Sequence, residues 1–153
     1  MLNKICLFFL CSILLNNKVY SQTSFRSEIK VVKEETTVNR LTVQVVGYGF
    51  IHLTAEKEAM KNLFSSIFFR GIPGSSTPKP LIGVNEELIY SSNKQYFDDF
   101  FEKNRYITFV NEKECTKLKG FGSRRKLKCI LSVDIQSLKE DLQSNKIIFN
   151  YGF

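Results

Sequence analysis

The densest group of chemically active side chains in this sequence is basic. Six lysines and arginines lie within residues 117–128, and this segment contains no aspartate or glutamate. They are Lys117, Lys119, Arg124, Arg125, Lys126 and Lys128, with Phe121 standing between two glycines among them. Such a cluster predicts contact with an anionic surface: phosphorylated lipid headgroups, acidic glycan or an acidic protein patch. The alternative is a solvated hairpin end that is merely kept charged.

Two cysteines form the second candidate group. Cys115 and Cys129 lie at equal distances on either side of residue 122. If the chain turns at that residue, the two cysteines face each other on adjacent strands, and a cross-strand disulfide is geometrically allowed in an oxidising compartment. Two separate reduced thiols are the alternative, and we favour the disulfide.

Residues that could support catalysis are few. His52 is the only histidine. A catalytic triad or a metal site needs oriented partners or several further ligands. The Gly47-Tyr48-Gly49 segment lacks the Lys-Ser/Thr pair of a phosphate-binding loop, so we interpret its glycines as backbone geometry. Adjacent carboxylates such as Glu86 and Glu87 diverge within a helix or strand. We therefore expect no catalytic residue, no metal and no cofactor.

Residues 1–21 have the pattern of a signal peptide. Lys4 supplies the positive charge, and residues 5–15 form a charge-free apolar stretch. This stretch is too short for a membrane-spanning helix, which needs about 20 residues. The small side chain of Ser21 predicts cleavage between Ser21 and Gln22. Export to the periplasm or outside the cell follows, with no transmembrane span in the mature chain. Nucleic acid is then not an expected partner.

A lipid anchor at Cys11 is a weaker interpretation, because Leu10 stands where a lipoprotein signal has a small residue.

The whole chain has 153 residues and a formal charge of +7. Removal of residues 1–21 takes away Lys4 and Lys18 and leaves 20 basic and 15 acidic side chains. A chain of this length and composition fits one globular domain rather than a disordered or disulfide-dense protein.

The elements that must position these groups follow from the apolar periodicity. Alternation with period two predicts a strand at 41–46, and two strand-like segments follow at 105–115 and 125–135, the second with Leu127, Cys129, Leu131, Val133 and Ile135 on one face. Residues 28–35 have a short apolar centre and are expected to form a strand or an extended arm. The strand at 41–46 is expected to end or bulge at Gly47 to Gly49, and the last two strands form a hairpin. A short extended piece at 81–84 or 88–90 is expected to rejoin the sheet.

Three helices are predicted from the helical period. The first begins at Thr54 as N-cap and ends at Arg70, with Gly71 as C-cap. A loop with all three prolines follows at 73–80. The second helix covers 93–103 and carries an aromatic stripe, interpreted as core packing rather than a ligand-stacking face: Tyr96, Phe97, Phe100 and Phe101. The third carries Leu138 and Leu142 and is capped by Ser137 or Asp134, and the tail at 147–149 packs back or adds a strand.

This order predicts an α+β fold, a two-layer sandwich with a mainly antiparallel sheet and helices packed on one face. The expected divisions are a signal peptide at 1–21, an N-terminal arm or edge strand at 22–39, and a single α+β domain at 40–153.

The strand ending in Gly47-Tyr48-Gly49, the helix with Ala55 and Ala59, and the segment 131–135 running into Leu138-x-x-Asp141-Leu142 resemble one family. They are similar to the N-terminal domain of flagellar assembly protein T and related small exported envelope proteins. The resemblance covers most of residues 40–148, and it implies an exported, non-catalytic module of the Gram-negative envelope.

The expected function is therefore a non-catalytic binding or assembly module of the Gram-negative cell envelope. It would contact a protein or an anionic envelope component through the hairpin that carries the basic segment 117–128, or through a sheet edge. The alternative is a small periplasmic hydrolase or ligand-binding protein with a site under the Pro-rich loop 73–80. The sequence does not determine the oligomeric state.

Overall fold

The structure, a computed structural model, describes residues 29–35, 39–119 and 124–149. This part of the chain contains four strands, β1 Lys30–Glu35, β2 Arg40–Gly49, β3 Val110–Leu118 and β4 Arg125–Asp134. It also contains four α-helices, α1 His52–Phe69, α2 Glu86–Ser92, α3 Lys94–Phe101 and α4 Ile135–Ser144, and a 3-10 helix at Arg105–Phe109. The predicted cleavage site at Ser21 and Gln22 and the predicted binding residue Phe121 lie outside the described residues.

The four strands form one antiparallel sheet in the order β1-β2-β4-β3. The two central strands are in continuous register from Arg40 opposite Asp134 to Gly49 opposite Arg125. β1 and β3 lie at the edges, so the segment predicted as an arm or strand is an edge strand. The predicted α+β fold is confirmed.

One face of the sheet forms the core, because alternate side chains of the central strands point to the same side. Leu41, Val43 and Val45 of β2 are fully buried there. The predicted face of β4 is buried beside them, and it consists of Leu127, Cys129, Leu131, Val133 and, at the start of α4, Ile135. α1 covers this face.

An aromatic cluster joins α1 to α3. The ring of Phe100 lies 5.3 Å from that of Phe64 in an edge-on contact and 5.0 Å from that of Phe68. Phe97, Phe100 and Phe101 are all buried. The aromatic stripe predicted on this helix is therefore part of the core, as expected.

The end of β2 agrees with the sequence prediction, whereas the predicted N-cap of α1 is wrong. β2 is longer than the predicted strand 41–46 and ends at Gly49, within the expected segment. Gly47 allows α1 to cross β2 closely, because a Cβ there would lie 2.0 Å from the Ala55 carbonyl oxygen. The N-cap of α1 is Ile51 rather than Thr54. The Thr54 hydroxyl accepts from the Ile51 N–H (3.2 Å) and donates to the Ile51 carbonyl (2.9 Å), so Thr54 closes the first turn from inside the helix. α1 ends at Phe69, and its C-cap is Arg70 rather than the predicted Gly71, which follows with φ 77°.

The expected return to the sheet between 81 and 90 does not occur. The N–H groups of Leu81 and Ile82 bond the carbonyls of Ile67 and Phe68 instead, which satisfies acceptors that the end of α1 leaves open. The chain then forms α2, whose start is capped by the Asn85 side chain.

The strand predicted from residue 105 begins only at Val110. Residues 105–109 form the 3-10 helix, which buries Tyr106 and Phe109 against the aromatic cluster. Of the two predicted caps of α4, Asp134 accepts from the Ser137 N–H at 2.9 Å. The tail packs back onto α4 through the bond from the Ile147 N–H to the Leu142 carbonyl.

Candidate functional site

The predicted basic residues lie at one end of the sheet. We use the name basic hairpin for Lys117, Lys119, Arg124, Arg125, Lys126 and Lys128, which lie on or next to β3 and β4. The strand register places Leu118 opposite Lys126 and Thr116 opposite Lys128. The structure thus brings together the six basic side chains that the sequence singled out.

The strand alternation divides the basic hairpin into two rows. Lys126 and Lys128 alternate with the buried Leu127 and therefore lie on the face that α1 does not cover. Lys117 is paired with Leu127 and lies on the helix-covered side, as does Arg125 two positions before Leu127. The basic hairpin therefore presents two rows of basic side chains at the same end of the sheet.

These six side chains carry uncompensated charge. Within residues 29–35, 39–119 and 124–149, none of them has a carboxylate oxygen within 4.0 Å. Eight other basic residues of the same ranges do have such a partner: Lys33, Arg40, Lys61, Arg70, Lys94, Lys103, Arg105 and Lys113. Because most cations elsewhere are paired, the basic hairpin is a local source of positive potential.

Two aromatic rings of β2 and the following turn support the basic hairpin. The guanidinium carbon of Arg124 lies 5.6 Å from the ring centre of Phe50, and Nζ of Lys126 lies 5.6 Å from that of Tyr48. Cations over aromatic faces at this distance attract the ring quadrupole. The site therefore includes the β2–α1 turn, which sequence reasoning missed. The signal that could have found it is the three large apolar side chains of Phe50, Ile51 and Leu53 directly after Gly49.

Cys115 and Cys129 face each other on β3 and β4 and are joined by a disulfide, as predicted. Their Cα atoms are 4.1 Å apart. Cys129 is fully buried and Cys115 is partly buried at the edge strand. The bond ties the outer strand of the basic hairpin to the centre of the sheet.

His52 lies in the first turn of α1 with its side chain half exposed, and its Nδ1 is 3.7 Å from a carboxylate oxygen of Glu56. The same carboxylate pairs with Lys113. Over the described ranges, no group of three or more His, Cys, Asp or Glu side chains is placed to hold a metal ion. No described helix combines the length and apolar character needed to cross a membrane.

The Pro-rich loop packs tightly against the end of α1. A Cβ on Gly71 would lie 2.3 Å from the Pro78 carbonyl oxygen, and the Ile72 N–H bonds the Thr77 carbonyl at 2.8 Å. Ile72 and Thr77 are both buried. The packing favours a structural role for this loop over the alternative of a ligand site beneath it.

A polar network that sequence reasoning missed connects three elements. The Tyr96 hydroxyl and Nη1 of Arg105 each donate to the Asp141 carboxylate at 2.7 Å. Burial raises the pKa of Tyr96, and the Asp141 carboxylate raises it further. Burial tends to lower the pKa of Arg105, but the bond to Asp141 and its charge outweigh that effect and raise it. The network stabilises the packing of α3, the 3-10 helix and α4.

Comparisons with known proteins give no relative from which a function could be transferred. A scan against protein-family models, a search of curated proteins and a search of solved structures each found no match. The resemblance to the N-terminal domain of flagellar assembly protein T therefore stays a prediction.

Proposed function

We propose that this chain is an exported, non-catalytic binding module of the Gram-negative cell envelope that contacts an anionic component through its basic hairpin. The observation that carries the proposal is the uncompensated charge. Six basic side chains gather at one end of the sheet, and none has a carboxylate partner among the described residues. Positive potential of this kind raises the local concentration of anionic partners and speeds their association.

The disulfide supports the export part of the proposal. Disulfides persist in oxidising compartments such as the periplasm and the extracellular space, and they are rare where thiols are kept reduced. The bond between Cys115 and Cys129 lies in the same hairpin as the basic residues. The signal-peptide pattern of residues 1–21 points to the same compartments.

The sheet edges support the basic hairpin over edge pairing as the contact site. The β1 edge carries Lys30, Lys33, Glu34 and Glu35, and its register shifts between Val31 and Lys33. The β3 edge carries Glu112, Lys113, Glu114 and Lys117, with a shift after Val110. Charged side chains and register irregularities are the means by which proteins prevent a further strand from adding to an edge.

The test is co-sedimentation with an envelope fraction. The protein carrying Arg124→Glu and Arg125→Glu is compared with wild type and with a matched control, Lys79→Glu and Lys139→Glu, which makes the same change in net charge. Lys79 lies beyond the C-terminal end of α1, whereas the basic hairpin lies near the start of that helix. Circular dichroism verifies that all three proteins are folded.

We expect the wild type and the control to bind at low salt and the hairpin variant to bind at least about twentyfold more weakly, since each of the two lost contacts contributes about 1 kcal/mol, a factor of about five. Raising the salt from about 0.1 M to about 1 M should weaken the wild type, because the screening length falls from about 10 Å to about 3 Å. Equal recovery of the hairpin variant and the control would contradict the proposal.

A further inference from the structure

Three exposed apolar side chains project beside the basic hairpin. We use the name apolar tip for Phe50, Ile51 and Leu53, which are 67%, 54% and 53% exposed. Eight large hydrophobic side chains are exposed over residues 29–35, 39–119 and 124–149, and three of them fall within the four positions 50–53. Clustering of this kind marks an interaction surface, whereas single exposed apolar residues need no explanation.

The backbone holds the apolar tip in place. The Ile51 N–H and carbonyl both bond the Thr54 hydroxyl, at 3.2 and 2.9 Å. A Cβ on Gly49 would lie 2.3 Å from the same hydroxyl oxygen, so the turn is closely packed. The apolar side chains are therefore presented on a fixed turn, and ordering them on a partner costs little conformational entropy.

The apolar tip and the basic hairpin end at the same level of the sheet. Gly49, the last residue of β2, is paired with Arg125, the first of β4. Leu118, the last residue of β3, is paired with Lys126. The β2–α1 turn and the end of the basic hairpin therefore lie side by side, and Arg124 bridges them by lying over the Phe50 ring.

We propose that this end of the domain docks on the surface of a lipid bilayer that contains anionic headgroups. The apolar tip enters the boundary between headgroups and acyl chains, and the basic hairpin contacts the phosphates around it. The inference rests on the proposed function and names the class of its anionic component.

The two rows of the basic hairpin favour a bilayer over a folded protein partner. Lys126 and Lys128 lie on the open face of the sheet, whereas Lys117 and Arg125 lie on the helix-covered side. A partner docked on either face would reach only one row. An approach along the strands brings both rows and the apolar tip to the same flat surface, which a bilayer provides without a matching cavity.

The carboxylates closest to the apolar tip in sequence are already engaged within the protein. Glu56 pairs with Lys113 and lies 3.7 Å from His52 Nδ1. Glu58 accepts from the Tyr48 N–H. Because both carboxylates are occupied by protein donors, they weaken the attraction to anionic headgroups less than free carboxylates would.

The first experiment measures co-sedimentation with vesicles. The protein is produced with residues 1–21, so that the expression host can export and process it; cleavage after Ser21 leaves all described residues intact. The purified protein is mixed with vesicles of phosphatidylcholine alone or with added phosphatidylglycerol. Three variants are compared: Phe50→Ser with Leu53→Ser, Arg124→Glu with Arg125→Glu, and the control Lys79→Glu with Lys139→Glu. Urea unfolding verifies that each variant is folded.

We expect wild type and control to bind the anionic vesicles and to bind the neutral ones weakly. Reversal of the two arginines should weaken binding at least about twentyfold, since each basic residue near an anionic surface contributes roughly a factor of five. The Phe50 and Leu53 variant keeps the net charge and should lose about tenfold, because apolar area is no longer buried.

The second experiment detects entry of the apolar tip directly. The chain has no tryptophan, so Phe50→Trp introduces a single tryptophan as the reporter of its own surroundings. Leu88→Trp is the matched control, because Leu88 is 60% exposed on α2, near the opposite end of α1. With anionic vesicles, the emission of Trp at position 50 should shift to shorter wavelength while that at position 88 stays unchanged.

The bilayer inference is overturned if neutral vesicles bind as well as anionic ones, if the Phe50 and Leu53 variant binds like wild type, or if the emission at position 50 does not shift. If the envelope fraction still binds in a salt-dependent manner while vesicles do not, the proposed function holds and the component is a protein or glycan. If the protein binds neither the anionic vesicles nor the envelope fraction, both proposals are rejected.

Discussion

The Tyr96 hydroxyl of α3 donates a 2.7 Å hydrogen bond to Oδ2 of Asp141 in α4. Arg105 donates to the other oxygen of the same carboxylate at 2.7 Å, and its guanidinium carbon lies 4.8 Å from the centre of the Tyr96 ring. One carboxylate therefore joins two helices and the 3-10 helix. This link holds α4 against α3 and the 3-10 helix, and it can be tested apart from any function.

The stability of the protein should fall at alkaline pH through Tyr96. Burial, with a further contribution from Asp141, raises the pKa of Tyr96 in the folded protein. An unfolded tyrosine, in contrast, loses its proton near its usual pKa of about 10. The unfolded chain then binds fewer protons than the folded one above that pH, so this contribution is fully present below about pH 10 and is lost as the pH rises.

Urea unfolding at about pH 9 and about pH 11 measures this effect. Wild type should lose up to about 1.4 kcal/mol per pH unit more than Tyr96→Phe. The variant removes the titrating hydroxyl and keeps the ring, so an equal loss in both proteins would show that another group is responsible.

Asp141→Ala should lower the free energy of unfolding by about 2 kcal/mol, because a partly buried donor that loses its acceptor keeps its full desolvation cost. The substitution leaves both the Tyr96 hydroxyl and the partly buried Arg105 without this acceptor. Glu140→Ala is the control in the same helix, because the Glu140 side chain bonds only Gln136 among the described contacts. Chemical unfolding compares the two, and similar losses would mean that the network contributes no more than a surface contact.

Gly47→Ala should destabilise the domain by about 3 kcal/mol or more, because the added methyl group would collide with the backbone of α1. Its Cβ would lie 2.0 Å from the Ala55 carbonyl oxygen and 2.9 Å from the Ala59 Cβ. Gly74→Ala is the comparison, since Gly74 has φ 79° and a Cβ there would meet nothing within 4 Å. Only backbone strain of about 1 kcal/mol is expected at that position. A thermal or urea unfolding midpoint that ranks the two variants in the opposite order would contradict the close crossing of β2 and α1.

Removal of the disulfide by Cys115→Ala with Cys129→Ala should lower the free energy of unfolding by about 3 kcal/mol, the value expected when a loop of this length is no longer closed in the unfolded chain. Reduced wild type should lose a similar amount. Mass spectrometry after alkylation without reductant checks the bond itself. Two alkylated cysteines at positions 115 and 129 in that experiment would show that the bond does not form.

Local periodicity is sufficient to predict which side chains of the sheet form the core. The apolar residues of β2 and β4 alternate with polar ones, and the pattern itself separates the buried side from the open side. The aromatic residues of α3 are predictable in the same way, because they recur at the helical period on the face that is buried. These elements are predictable because each buries one face, and burial of a face leaves a repeat in the sequence.

Three elements were mispredicted because their conformation depends on distant partners or on a cap inside the helix. Residues 81 and 82 bond the end of α1 rather than a strand. Residues 105–109 resemble a strand in composition, but Arg105 pairs with Asp141 and Tyr106 is buried against the aromatic cluster, which favours a 3-10 turn. α1 begins at His52 with Ile51 as N-cap, because Thr54 caps the helix from its third position.

The basic segment, the cysteine pair and the class of fold follow from the sequence by itself, because charge, spacing about a turn and apolar periodicity are local properties of the chain. Only the tertiary structure decided that the basic residues form two rows and that Phe50 lies against Arg124. The reason is strand pairing: the register of β2 with β4 brings Gly49 opposite Arg125, and no local pattern encodes a register between segments so far apart in the chain.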